Sequence, residues 1–143
     1  MRKYVKIIGL VMVAGIIAAI ALYLFVYNKP HPDYAKAHPD FVLTADVLFH
    51  SYHSGESASA NYTGAVLQVT GTIHKVESAG DQVIAVTVFE EGLFGDEGIR
   101  YAMLPDYQQK ILQLSTGATL VIKGLCTGYN DTDVILEKCS IIE

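Results

Sequence analysis

The feature that most constrains this chain is an unbroken apolar run from Ile7 to Tyr27, preceded by Arg2, Lys3 and Lys6 and followed by no acidic residue before Asp33. A helix needs roughly 20 apolar residues to cross the hydrocarbon core of a bilayer. Lys and Arg collect on the cytoplasmic side of such a helix. The segment therefore predicts a single-pass cell-membrane protein with a cytoplasmic amino terminus and everything after Tyr27 outside. A cleaved signal peptide has a shorter apolar region and a small-residue cleavage site. Ala19-Ile20-Ala21 offers such a site, but Leu22 to Val26 continue the run beyond it. A retained anchor fits better. No Cys lies near the segment, which excludes a lipid-modified amino-terminal Cys.

The remainder is long enough for one small domain. Three of the ten Lys and Arg precede the apolar run, and all fifteen Asp and Glu follow it. The exported part thus holds seven basic and fifteen acidic residues, a formal net charge of 7 − 15 = −8. Nucleic-acid sites concentrate positive charge to neutralise phosphates, so this balance argues against nonspecific DNA or RNA binding and leaves only a local basic patch open. The division expected is residues 1–27 as cytoplasmic tip and anchor, 28–43 as spacer, and 44–143 as the exported domain.

Residues 28–40 read NKPHPDYAKAHPD, with three of the four prolines and two His-Pro-Asp triplets. Proline removes a donor and pushes its predecessor toward extended backbone, which predicts a stiff spacer. His31 and His38 are read as parts of turn-forming triplets rather than as metal ligands. Thr44 can cap a helix running to about Ser54. Ala45, Leu48, Phe49 and Tyr52 make one apolar stripe on it, and Gly55 suits its end. A short helical turn over 56–62 follows.

Five strands are then predicted, at 65–75, 82–90, 99–104, 119–126 and 133–142, from alternation and β-branched content. Gly71 inside the first marks a bulge or corner. Residues 91–97 read as a Gly-rich acidic loop. Pro105 suits the first turn of a helix, with Tyr107, Ile111 and Leu114 on one face and Gly117 at its end. Gly128 to Thr132 is a turn cluster. This is the element order of a mainly β fold, a five-stranded OB-fold barrel with a helix between strands three and four, preceded by a transmembrane helix and a short helix. An antiparallel meander with a packed helix is the alternative.

The residues also resemble a family. Asn28-Lys29-Pro30-His31 follows the anchor, and Leu43-Thr44-Ala45 opens the helix. Ala60-Asn61-Tyr62 and Gly64 precede Val66 to Gly71. Lys123-Gly124-x-Cys126-x-Gly128 leads to Asp133-Val134-x-Leu136 and Cys139. This pattern resembles the tRNA-anti-like family of small OB-fold proteins, many of them anchored to bacterial envelopes. The resemblance covers nearly all of residues 28–143 and implies the barrel and an envelope location. It implies no reaction. Members often carry a Cys in the third strand, and Ile99 to Met103 has none.

Candidate chemistry is sparse. Asp46, His50 and His53 share a helix face, but a catalytic zinc site takes three protein ligands plus water, and no third partner for the histidines is evident in sequence. A solvated helix face is the better reading. Glu90, Glu91, Asp96 and Glu97 lack the ligand spacing of a calcium loop and read as a solvated acidic loop. Phe89, Tyr101, Tyr107 and Tyr129, with Arg100 as the nearby cation, are the candidate ligand-binding set, a stacking platform on the barrel face; the competing reading places these aromatics in the core or at its rim. Asn61 and Asn130 begin glycosylation sequons, which are uninformative in a chain of bacterial character. Cys126 and Cys139 would pair in an oxidising compartment, although a simple hairpin register sets Cys126 opposite about residue 134. No catalytic residue, metal or cofactor is assigned. The expectation is a non-enzymatic binding module for an envelope protein or a small polar ligand, with single-stranded nucleic acid as the alternative.

Overall fold

The computed structural model describes residues 1–27 and 32–142, so the Asn28–His31 stretch of the expected spacer lies outside the described residues. Two compact units divide at Pro32 and Asp33. In the first, helix α1 (Arg2–Leu22) continues as a π-helical turn through Tyr27. The most apolar 18-residue window of this 26-residue helix has a mean hydropathy of 2.7, and the helix is long and apolar enough to cross a membrane. None of its residues is buried, and its composition suits a lipid solvent better than water.

The second unit is mainly β. A seven-stranded sheet runs in the order β1-β2-β6-β7-β5-β4-β3. The strands are β1 (Phe41–Thr44), β2 (Val66–Thr72), β3 (Lys75–Ala79), β4 (Gln82–Gly92), β5 (Gly95–Met103), β6 (Thr119–Tyr129) and β7 (Asp133–Ile142). The helices are α2 (Ala45–His53), α3 (Ser59–Tyr62) and α4 (Pro105–Gln113). Most pairings are antiparallel, but β5 runs parallel to β7 and β1 parallel to β2.

Two differences from the expected strands have local causes. The strand anticipated over 65–75 ends at Thr72, and after a break at Ile73 and His74 a separate strand, β3, starts at Lys75 and runs beyond the expected end to Ala79. β2 pairs with β6, and β3 pairs with β4. The two break residues stay hydrogen-bonded, Ile73 N–H to Ala118 O at 2.9 Å and His74 N–H to Val86 O at 2.9 Å. Gly71 does not make this break. It lets α2 approach, since a Cβ there would lie 2.8 Å from Ala45 Cβ. The acidic stretch 91–97 is not a loop: β4 and β5 extend through it to a tight turn at Leu93-Phe94. Strand β1 begins inside the segment expected as spacer and ends at Thr44, and Asp40 Oδ2 just before it accepts from Val66 N–H at 2.8 Å.

The two helices form as their sequences direct. Thr44 caps α2, its hydroxyl accepting from Val47 N–H at 3.4 Å. Ala45, Leu48 and Phe49 are buried and Tyr52 packs against them. On α4, Pro105 occupies the first turn. Ile111 is fully buried, with Tyr107 and Leu114 beside it. The core they join includes Leu67, Val69, Ile99, Ile122, Val134 and Leu136.

The expected Cys126–Cys139 disulfide is a correction: both thiols are free and buried. The register explains why. Cys126 lies opposite Leu136, and three residues of strand carry Cys139 roughly 10 Å farther along, beyond the roughly 7 Å that a bridge spans between Cα atoms. A bulge in β7 does not bring the two together. Lys123 faces Ser140 and Leu125 faces Glu137, so Lys138 and Cys139 together oppose Gly124. Lys138 adopts a φ of 53° there, and the extra residue aims the Cys139 thiol at Gly124. A Cβ on Gly124 would lie 2.5 Å from Cys139 Sγ and 3.1 Å from Glu137 O. Gly124→Ala is therefore expected to lower stability by about 1–3 kcal/mol, the usual range for overpacking, read as a lower urea midpoint. Alkylation without reductant should label two thiols in denaturant and neither in the native chain.

Candidate binding face

Strands β3, β4 and β5 present one face on which alternate side chains meet. Lys75 lies opposite Val86, which lies opposite Arg100. Glu77 is one pleat along from Lys75. Lys75 Nζ contacts Glu77 Oε1 at 3.0 Å and Asp96 Oδ2 at 2.8 Å. Arg100 Nη1 donates to Glu77 Oε2 at 2.7 Å, and its Nε donates to Asp133 Oδ2 at 2.8 Å. Asp133 is the anchor of this network. Its Oδ1 accepts from Gly98 N–H at 3.1 Å, and only 8% of its side chain is exposed. Asn130 holds the preceding turn, its Oδ1 accepting from Thr132 and from Asp133 N–H at 2.7 Å.

The result is two cations against three carboxylates. Lys75 and Arg100 hold Glu77 below the ordinary carboxylate range, and Asp133, more than Glu77, holds the guanidinium firmly charged. A cavity of about 290 Å³ opens beside the network, lined by Lys75, Phe94, Gly95, Asp96, Arg100, Thr132 and Asp133. At its edge the hairpin tip exposes Leu93 and Phe94 almost completely, at 99% and 96%.

A second cluster forms where α2 meets the β4–β5 hairpin. Phe49 stacks on Phe89 with ring centroids 4.8 Å apart, and His53 stacks on Phe49 at 5.4 Å. Tyr129 packs near Tyr52. Its hydroxyl donates to Asp131 O at 2.9 Å and lies 3.4 Å from His53 Nδ1. His53, Glu90 and Glu97 place one ligand atom each within 4.8 Å of one another. His50 stands apart from them and pairs with Asp46 at 3.3 Å.

The five expected ligand-binding residues therefore do not form one platform. Tyr101 is 1% exposed and belongs to the core; its hydroxyl has no hydrogen-bond partner among the described residues, and burial pushes its pKa up. Tyr107 packs on the α4 side of the core. Arg100 is committed to two carboxylates. Phe89 and Tyr129 both belong to the α2 cluster. Sequence reasoning missed Lys75, Glu77, Phe94 and Asp133 on the face. Their signal lay in strand alternation alone, which becomes readable only once the register is known.

Comparison with known proteins places this fold. The tRNA_anti-like family model matches residues 1–141. The search of curated proteins found no match. Among solved structures, a candidate nucleic acid-binding lipoprotein from Klebsiella pneumoniae superposes with a TM-score of 0.53 at 18% identity, covering 80% of this chain and 100% of that one. An OBody bound to hen egg-white lysozyme aligns with a TM-score of 0.42 at 15% identity, over 64% of this chain and 92% of its own. Asparaginyl-tRNA synthetase from Pyrococcus horikoshii aligns at 0.40 and 13% identity, over 58% of this chain and 20% of its own.

Because Glu77 titrates lower when folded than unfolded, its contribution to stability is present above its ordinary value of 4.5 and is lost as pH falls through the lowered folded value. The urea midpoint of the wild type should fall across that acid window, and Glu77→Gln should flatten this part of the profile. Arg100→Met leaves the Asp133 carboxylate without its cation. It should cost about 1–3 kcal/mol, less than the roughly 3–5 for breaking a fully buried pair, because Arg100 is partly solvated.

Proposed function

This chain belongs to the tRNA-anti-like family, and we propose that it is a membrane-anchored binding module. Helix α1 and its extension span the bilayer with the amino terminus in the cytoplasm, and residues 33–142 work on the outer side. Arg2, Lys3 and Lys6 at one end of the apolar helix support that orientation. A fusion reporter after Glu143 that is active only in the cytoplasm would overturn it.

We also read the sheet as an OB-type barrel. β2 and β3 are the halves of one bent strand, separated by two residues and paired on opposite sides to β6 and β4. The parallel β5–β7 pairing, with α4 between β5 and β6, supports the same reading. On such a barrel the β3–β4–β5 face is a ligand surface.

The observation that carries the choice of ligand is the charge network on that face. Lys75 and Arg100 are neutralised by Glu77, Asp96 and Asp133, so a phosphate arriving there meets no spare cation and a net carboxylate excess. The exposed Leu93-Phe94 tip adds apolar surface at the rim. A protein surface with basic or polar groups around an apolar notch fits this face, and a small polar ligand fits the cavity. A photo-crosslinking residue at Phe94 in the membrane-embedded chain should give a discrete protein adduct, and the same probe at Asp106 on α4 should not. Equal adducts at both positions, or none at Phe94, would overturn the protein-ligand reading.

The second reading is single-stranded nucleic acid. It is favoured by the superposition with the Klebsiella lipoprotein over that protein's full length. Binding to phosphates weakens steeply with salt. A salt-sensitive mobility shift with single-stranded oligonucleotides, lost on stacking-residue substitution at Phe89 or Tyr129, would establish it over the first reading.

A further inference from the structure

We propose that His53, Glu90 and Glu97 form a binding site for a divalent first-row transition ion, a function that goes beyond the binding-module reading and does not rest on it. The three residues come from three elements, a helix and the two strands of a hairpin far from it in sequence. His53 ends α2. Glu90 and Glu97 are register partners across β4 and β5.

A bulge places the carboxylates. The register shifts between Val88 and Glu90, so Phe89 takes the extra position and packs on Phe49 of α2. That shift sets Glu90 directly opposite Glu97. Like charges directly opposite on neighbouring strands are destabilising. The cations of the adjoining face offset little of this, because Lys75 and Arg100 are held by Glu77, Asp96 and Asp133. What faces the carboxylates is the imidazole of His53, with Nδ1 at 4.0 Å from Glu97 Oε2.

The donor set suits a particular class of ion. One imidazole nitrogen with two carboxylates favours Zn²⁺ and its first-row neighbours over the all-oxygen shells of Ca²⁺ and Mg²⁺. Ligand atoms sit at about 2.0–2.2 Å from Zn²⁺, so two of them on one ion lie at most roughly 4.4 Å apart. The present spread of up to 4.8 Å needs a small side-chain rotation to close. Two of the three side chains are already positioned. The His53 ring is stacked on Phe49 at an interplanar angle of 27°. The Glu97 carboxylate lies across the backbone of Gly92, where a Cβ would come within 2.1 Å of its Oε1. The Tyr129 hydroxyl, 3.4 Å from His53 Nδ1, sits where a fourth donor or a hydrogen bond to bound water would stand. Three protein ligands leave coordination open, and the bound ion would tie α2 to the β4–β5 hairpin.

The test is calorimetric titration of Zn²⁺ into the untagged, chelator-treated full chain in detergent. One ion per chain is expected. His53→Ala, Glu90→Gln and Glu97→Gln should each weaken binding by at least about tenfold, the lower end of what even supporting residues cost. His50→Ala and Glu91→Gln, which lie outside the cluster, should keep wild-type affinity. Circular dichroism identifies any variant that fails to fold, and the two carboxamide variants preserve side-chain volume. The spectrum of the Co²⁺-loaded chain should change in Glu97→Gln. No saturable Zn²⁺ binding, or binding that all three ligand variants leave intact, would overturn the proposal.

Discussion

Between Thr72 and Lys75 the backbone changes partners, and the rest of the domain is arranged around that exchange. Every buried N–H and C=O must find a partner. Over β2 those groups pair with β6 on one side and β1 on the other; β3, at the sheet edge, pairs with β4. Ile73 and His74 keep the account complete across the corner by bonding to Ala118 and Val86. Gly117 N–H returns a bond to Ile73 O at 2.7 Å, which pins the chain leaving α4 to the same corner. Because β2 and β3 sit at distant places in the sheet order, this one segment fixes where β6 and β4 begin. It thereby fixes which residues of β4 and β5 face outward.

The outward face then acquires its character from electrostatics. Two basic residues are present, but each is paired with two carboxylates: Lys75 with Glu77 and Asp96, Arg100 with Glu77 and Asp133. Asp133 is fixed by Gly98 N–H and by the Asn130-centred turn before Arg100 reaches it. A guanidinium held in that manner is a structural cross-brace between β3, β5 and β7. It is not a free hand for a phosphate. Counting Lys and Arg on such a face overstates its affinity for anions, since what matters is the charge left after internal pairing.

Much of this was legible in the sequence where periodicity is strong and local. The α2 stripe of Ala45, Leu48 and Phe49 and the α4 face of Ile111 read directly from their spacing. So did the Thr44 cap and the long apolar amino-terminal helix. Legibility failed where register decides. Strand β1 is four residues long and pairs in parallel with a segment more than twenty residues away, which leaves no local pattern. The bulges at Phe89 and Lys138 shift partners by one residue, and nothing in the local alternation marks them. Glu90 and Glu97 read as a solvated loop because the strands were expected to stop short of Gly92. Once the hairpin extends to Leu93-Phe94, the carboxylates meet, and His53 becomes their neighbour. The third partner that the histidines lacked in sequence was therefore seven residues of hairpin away from being visible. The cysteine pairing failed for a related reason: a compartment argument says which thiols are permitted to join, whereas strand register says which can touch.

The two free thiols change how this domain relates to its chemical surroundings. Cys126 is sealed beneath Tyr52, whose hydroxyl lies 3.3 Å from its sulfur. Cys139 is filed against Gly124, and burial pushes its thiol far from the thiolate that oxidants and metals attack. A domain built this way owes none of its cohesion to a covalent link. With both cysteines at 0% exposure, oxidants reach neither thiol while β6 and β7 stay closed over them.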